Sequence, residues 1–195
     1  MNVLCIAGVL GSGKTTVLLE VARAMVERGE QLAIIENEIG EVGVDGGYVR
    51  EQGLPVQELF GGCICCTLQV GLVETLRTVE GRYEPDWVII EPTGLAAPGD
   101  ILGLVVDNCP HVDTIRVLTL VDAPRWEMLL EVVEPLVTAQ LGSADVVAVN
   151  KVDEVDADTQ TAVLESVRTL AGTAPVLAVS ATSGAGMKSL LGAVL

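Results

Sequence analysis

The stretch "GVLGSGKT", residues 8 to 15, constrains what this chain can fold into more than any other. Glycines at 8, 11 and 13 are followed by Lys14 and Thr15, in the spacing G-x-x-x-x-G-K-[ST]. The apolar run "NVLCIA" leads into it, and a helical pattern leads out of it. A strand, a glycine loop and a helix in that order turn successive backbone N–H groups, and the positive end of the helix, toward an anion. A glycine turn of purely structural use is the alternative, and the agreement of strand, loop and helix argues against it. Gly11, Ser12, Gly13, Lys14, Thr15 and Thr16 are therefore the candidate cradle for nucleotide phosphates. Lys14 is expected to reach the β- and γ-phosphates, and Thr15 to offer its hydroxyl to Mg²⁺.

The rest of the chain repeats the same alternation. "QLAIIE", "DWVIIE", "TIRVLTLVD", "DVVAVN" and "APVLAVS" are continuously apolar and β-branched, as strands buried on both faces must be. Between the first two strands, Leu18, Val21, Ala22 and Met25 stand at helical spacing within residues 14 to 28, and Gly29 is placed to stop the helix. Val155, Ala162, Val163, Val167 and Leu170 predict a second such helix over 155 to 171, and "GMKSLLGAVL" a short closing one. The expectation is an α/β fold, a three-layer doubly wound and mostly parallel sheet of the P-loop NTPase kind. With 195 residues, half of them apolar, no internal repeat and no linker-like stretch, residues 1–195 read as a single domain.

Three further strand ends carry polar motifs. "VNKVD" supplies Asn150, Lys151 and Asp153 in an N-K-x-D arrangement. The Asp153 carboxylate suits guanine, which presents N1–H and an exocyclic amine together, so GTP and GDP are expected over adenine nucleotides. A strand ending in a polar turn is the plainer alternative, made weaker by a phosphate loop in the same chain. "VSAT" adds Ser180 and Ala181 where a further backbone contact to the base would come. "ENEIGEVGVD" follows the second strand, with Glu36, Glu38, Glu41 and Asp45 in a glycine-punctuated loop that reads as a switch or as a solvated acidic surface. "EPTG" follows the third, where Glu91 could hold the water shell of Mg²⁺ and Gly94 could offer its N–H to a γ-phosphate.

"GGCICCTL" crowds Cys63, Cys65 and Cys66 into four positions of a chain with five cysteines. As thiolates they suit Zn²⁺, Cu⁺ and similar thiophilic ions. Neighbouring Cys65 and Cys66 do not easily join one tetrahedral site together with Cys63, so one or two direct ligands, completed by a carboxylate or solvent, are expected. A redox pair between Cys63 and Cys66 and three buried core thiols are the other readings. Cys5, inside the first strand, is most simply a core residue. "NCPH", Asn108 to His111, sets a thiol near the single histidine, and such a turn is more often structural than a ligand.

Charge narrows the partners. Eleven basic against twenty-seven acidic residues leave a formal charge of −16, which repels nucleic acid and anionic membrane surfaces. No apolar run reaches the roughly 18 residues of a membrane span, and the first ten residues have no basic leader, so a cytoplasmic location is expected.

Taken in order, "GVLGSGKTT", "ENEIGEVGVD", "GGCICCTL", "EPTGLAAP" and "VNKVDE" resemble the CobW-like metallochaperone GTPases of the SIMIBI class of P-loop proteins, over nearly the whole chain. The resemblance implies a GTP hydrolase in which Lys14, Thr15 and Glu91 serve phosphate and Mg²⁺. It makes Glu36, Glu41 and Cys65 candidate ligands of a transition metal, Zn²⁺ first and Co²⁺ or Ni²⁺ after it, with Cys63 and Cys66 beside them. The implied partner is a client metalloprotein or a corrinoid protein, and the rival to an enzyme is a metal buffer or sensor tuned by nucleotide. Typical relatives carry a histidine-rich segment and a second C-terminal domain, whereas this sequence ends at Leu195 with one histidine. A stand-alone GTPase domain is expected, with any further surface supplied by a partner or by a second copy. The Cys-Pro-His turn is similar to that of urease-type nickel GTPases but follows "EPTG" here, where that family does not place it.

Overall fold

Every apolar run named above becomes a strand in the computed structural model, which describes residues 1–36, 57–58 and 68–195. The strands are β1 (Asn2–Gly8), β2 (Leu32–Glu36), β3 (Gln57–Glu58), β4 (Trp87–Glu91), β5 (Thr114–Asp122), β6 (Val146–Asn150) and β7 (Val176–Ala178). They form one sheet in the order β3-β2-β4-β1-β5-β6-β7, and every pairing among them is parallel. Two-residue β3 has no signal in the sequence, and "APVLAVS" shortens to three strand residues.

The six described helices are α1 (Lys14–Glu27), α2 (Leu68–Tyr83), α3 (Pro98–Asn108), α4 (Trp126–Gly142), α5 (Ala157–Ala171) and α6 (Met187–Val194). Alternate strand residues point to opposite faces, so strands covered on both sides cannot alternate apolar with polar. Leu4 and Ile6 of β1 pack with Leu18 and Met25 of α1 and Leu190 of α6 on one face. Val3, Cys5 and Ala7 pack with Leu76 of α2 and Val105 of α3 on the other. A third cluster on the β5–β6 side joins Val121, Val147 and Val149 to Trp126 and Leu141 of α4 and Val163 and Val167 of α5. Burying each such side chain contributes about 1.5–3 kcal/mol. The outcome is the three-layer doubly wound α/β fold.

Local detail departs from the periodicity at two places. The helix predicted from Val155 starts at Ala157, because the Asp156 carboxylate accepts the backbone N–H of Thr159 at 2.7 Å and caps it, leaving Val155 extended. In α4, Pro135 lies inside the helix and Val133 leaves helical geometry (φ −136°, ψ 32°), a kink that follows from the missing N–H of proline. Gly29 stops α1 as its sequence suggests: it is left-handed (φ +84°), and its N–H donates to the carbonyl of Val26 at 2.9 Å.

Cys5 is fully buried, and burial pushes its thiol up to about 12, so it is a core residue. Cys109 packs in the same cluster, its thiol raised by burial and by Glu80 against the opposing charge of Arg77, while His111 is exposed. No described helix is long and apolar enough to cross a membrane.

Candidate functional site

The carboxyl ends of β1, β4, β5 and β6 come together where ligands bind open parallel sheets. Register sets this up: Glu36 stands opposite Glu91, and Asp122 opposite Asn150. Between β1 and α1 the chain turns through Gly8 (φ +141°), where an added Cβ would stand 2.6 Å from the Leu120 carbonyl oxygen. Gly13 is left-handed (φ +93°) and caps α1, and among the described residues no side chain caps the helix start. The N–H groups of that first turn are thus left for an external acceptor.

Lys14, 7% exposed, reaches Glu91 at the end of β4, its Nζ 4.0 Å from Oε1. The Thr15 hydroxyl donates to the same carboxylate, 3.1 Å from Oε1 and 3.2 Å from Oε2. Hydroxyl and carboxylate side by side are the hard oxygen donors that Mg²⁺ takes, so this pair fits the ion. The loop after β4 lies on the phosphate loop, since a Cβ on Gly94 would be 2.5 Å from the Leu10 nitrogen. Gln140 of α4, buried, holds that loop by donating from Nε2 to the carbonyls of Gly94 (3.2 Å) and Ala96 (3.0 Å).

Asn150, 2% exposed, donates to the Ser12 carbonyl at 2.9 Å and accepts the Ala181 N–H at 3.1 Å. It therefore ties the phosphate loop to the segment after β7. Lys151 sits in the left-handed region (φ +64°) and donates from Nζ to Asp122 Oδ2 at 2.8 Å. Asp153 is exposed, and hydrogen bonds from the Ser180 hydroxyl first, then from its own backbone and from Thr182, hold its carboxyl below the usual range. It stays an acceptor well into acid.

Residues 2–178 match the nucleotide-binding domain of CobW, HypB and UreG. The chain belongs to this CobW/HypB/UreG family. It is 38% identical over 166 residues to the zinc chaperone YeiR of Escherichia coli, a match covering 80% of this chain and 48% of the relative. The zinc chaperone CobW of Pseudomonas aeruginosa is 32% identical over 195 residues, covering 81% and 50%. This chain thus spans about half the length of the curated relatives it matches. Among solved structures, the Zn(II)-bound YjiA GTPase of E. coli superposes with a TM-score of 0.63 at 26% identity, covering 90% of this chain and 56% of that one. HypB from Archaeoglobus fulgidus, at 18% identity and a TM-score of 0.67 over 98% and 87% of the two chains, shares the fold.

In this CobW/HypB/UreG domain the structure brings together the sequence-predicted Gly11, Ser12, Gly13, Lys14, Thr15, Glu91, Gly94, Asn150 and Ala181, with Lys151, Asp153 and Ser180 at the adjoining ends of β6 and β7. Thr16 follows in α1. Of the candidate metal ligands, Glu41, Cys63, Cys65 and Cys66 lie outside the described residues, as does the side chain of Glu36. Among the described residues no three His, Cys, Asp or Glu side chains gather into a metal site. Sequence reasoning passed over Asp122, Arg125 and Gln140. Asp122 had a usable signal, an acid closing a buried strand at the same sheet edge; Gln140 had none.

Gly13 offers a sharp test of this geometry. A Cβ there would run into the Asn150 side-chain amide and strain a left-handed residue, a cost of about 1–2 kcal/mol for the backbone alone. Gly13→Ala is expected to weaken GDP binding at least tenfold, measured by calorimetry, with Asn150→Ala adding little on top because the same tie is already broken.

Proposed function

We propose that this domain hydrolyses GTP and couples its nucleotide state to the binding and delivery of a transition metal, zinc first, to a client metalloprotein. The observation that carries the hydrolytic part is the Lys14–Glu91–Thr15 cluster at the foot of a helix whose N–H groups await an anion. Lys14 balances the charge of the β- and γ-phosphates, and the Gly94 N–H is the candidate donor to the γ-phosphate. Thr15 and Glu91 would hold Mg²⁺, which would supply charge neutralisation to the phosphates there. Asp153 selects guanine, with Asn150, Lys151 and Ala181 shaping the pocket.

The metal part is supported by the Cys63, Cys65 and Cys66 motif with Glu36 and Glu41, and by the names of relatives: two zinc chaperones above, and a zinc-regulated GTPase metalloprotein activator of Schizosaccharomyces pombe. The cargo ion is substrate rather than resident cofactor. A corrinoid protein is the narrower choice of client, and Co²⁺ or Ni²⁺ the alternative cargo. Release follows from position: Glu36 ends β2 beside Glu91, so a change at the γ-phosphate reaches the strand end that leads into residues 37 to 66.

Competition with a fluorescent zinc chelator tests this, in apo, GDP and GTP-analogue forms of the parent and of Cys65→Ser. The parent is expected to bind Zn²⁺ more tightly than Cys65→Ser and to lose affinity as pH falls and protons compete for thiolate. GDP and the GTP analogue should differ by about fivefold or more, with zinc changing the analogue-to-GDP affinity ratio by the same factor. Equal zinc affinity in parent and Cys65→Ser removes the cysteines as a metal site. Equal affinity in all nucleotide states removes the coupling, and absence of phosphate release from GTP leaves only a nucleotide-tuned metal buffer.

A further inference from the structure

We infer that Asp122 is a positioning residue that sets the phosphate cradle and the base pocket in register with one another. This rests on the guanine-nucleotide reading above and extends it to a residue outside the recognised motifs. Asp122 closes β5 and is 0% exposed. Its Oδ2 accepts from Arg125 Nε at 2.9 Å and from Lys151 Nζ at 2.8 Å, with Arg125 Nη2 also 2.8 Å away. A buried carboxylate with two cationic partners on one oxygen costs desolvation that an apolar residue would avoid, so packing alone does not account for it.

The two partners lead to the two halves of the site. Arg125 Nη2 donates onward to the Leu10 carbonyl at 2.6 Å, and its guanidinium lies over Gly11, where an added Cβ would stand 2.9 Å from Nη2. Lys151 belongs to the turn that carries Asp153. Asn150, opposite Asp122 in the sheet, holds the Ser12 carbonyl. The carbonyls of Leu10 and Ser12 are thus pulled toward the ends of β5 and β6. A planar trans peptide carries its N–H opposite its carbonyl, so the N–H groups of Gly11 and Gly13 are turned the other way. Asp122 acts on the loop through Arg125 and on the base side through Lys151, and loosening it should disturb both at once.

Calorimetric titration of the whole chain with GDP and with ADP tests this on the parent, Asp122→Asn, Arg125→Met and the double variant, each with its melting temperature. Arg125→Met releases the phosphate loop alone, so GDP and ADP should both weaken by about tenfold, the loss expected for a charge-assisted hydrogen bond, with their ratio kept. Asp122→Asn releases Lys151 as well, so GDP weakens further and the GDP-to-ADP preference falls by about tenfold or more. The double variant should bind no worse than Asp122→Asn, because both changes break one link. A parental GDP-to-ADP preference in Asp122→Asn, or a double variant equal to the product of the singles, overturns the inference. Should Asp122→Asn fail to fold, Arg125→Met decides: its side chain is 38% exposed and tolerates replacement. A tenfold loss at an unchanged melting temperature then supports the link, and GDP affinity within twofold of the parent overturns it. A parent that binds neither nucleotide sinks the nucleotide reading itself, whereas a parent that binds GDP beside an indifferent Asp122→Asn sinks only this inference.

Discussion

Lys14→Ala should lower GTP turnover by roughly a hundred- to a thousandfold, the loss seen when one preorganised charge is taken from a developing anion. The reason lies in where Lys14 sits. Its side chain is 8% exposed, and its ammonium lies 4.0 Å from a Glu91 carboxylate that is itself largely buried. Replacement removes the cation nearest the expected phosphates and leaves Glu91 to repel them, so the two effects add. Thr15→Ala should also collapse turnover, but through a different loss: its hydroxyl is hydrogen-bonded to both Glu91 oxygens and is the expected Mg²⁺ donor. Raising Mg²⁺ should therefore recover part of the Thr15→Ala activity and none of the Lys14→Ala activity. Phosphate release measured across a Mg²⁺ series reads both. Lys14→Ala turning over GTP within threefold of the parent would show that the phosphate loop is not the working site.

Asp153→Asn should reverse base choice. On the guanine reading proposed above, the parent carboxylate would accept two hydrogen bonds from the base, and sites built on such pairs discriminate by factors of about 10⁴ when the pair is lost. Asparagine keeps the shape but presents one donor and one acceptor, so GDP affinity should fall at least a hundredfold, while XDP, whose base carries an acceptor in place of the exocyclic amine, should gain. ADP should barely change. Hydrogen bonding from Ser180 and Thr182 holds the Asp153 carboxyl below its ordinary range, so the carboxylate persists as pH falls toward the unperturbed value of about 3.9, and guanine preference should hold across mildly acid conditions. Titration of parent and variant with GDP, ADP and XDP between pH 5 and 8 is the measurement, those limits being chosen to lie above about 3.9. A GDP preference surviving in Asp153→Asn would move base recognition to another residue.

The legible part of the site was the part written in consecutive residues. Gly8 to Thr15, Glu91 to Gly94 and Asn150 to Asp153 each lie at a strand end, and a strand end places its motif at the sheet's carboxyl edge whatever the rest of the chain does. Residues acting across the fold were not legible in that way. Gln140 grips the loop after β4 through carbonyls 46 and 44 positions before it, and nothing around Gln140 in the sequence marks it. Arg125 reads as one surface charge in an acidic protein until the fold sets it over Gly11.

Periodicity behaves the same way. It located α1 and the closing helix because a helix packed on one face repeats its apolar residues every third or fourth position. It misplaced the start of α5 by two residues, since a cap is chosen by a hydrogen bond, here Asp156 to Thr159, and not by hydropathy.

What this sequence determined by itself was therefore the fold class, the parallel strands and the strand-end placement of the glycine-loop and N-K-x-D motifs, because each depends on contacts between near neighbours or on a two-sided apolar strand. Only the tertiary structure decided the strand order β3-β2-β4-β1-β5-β6-β7, and with it which strand ends meet. That order set Asp122 opposite Asn150 and brought Lys14 and Thr15 to Glu91, 77 and 76 positions further along the chain. Such pairings are selected by how whole faces of the sheet bury against helices, an energy spread over dozens of side chains, so no short stretch of residues can encode them.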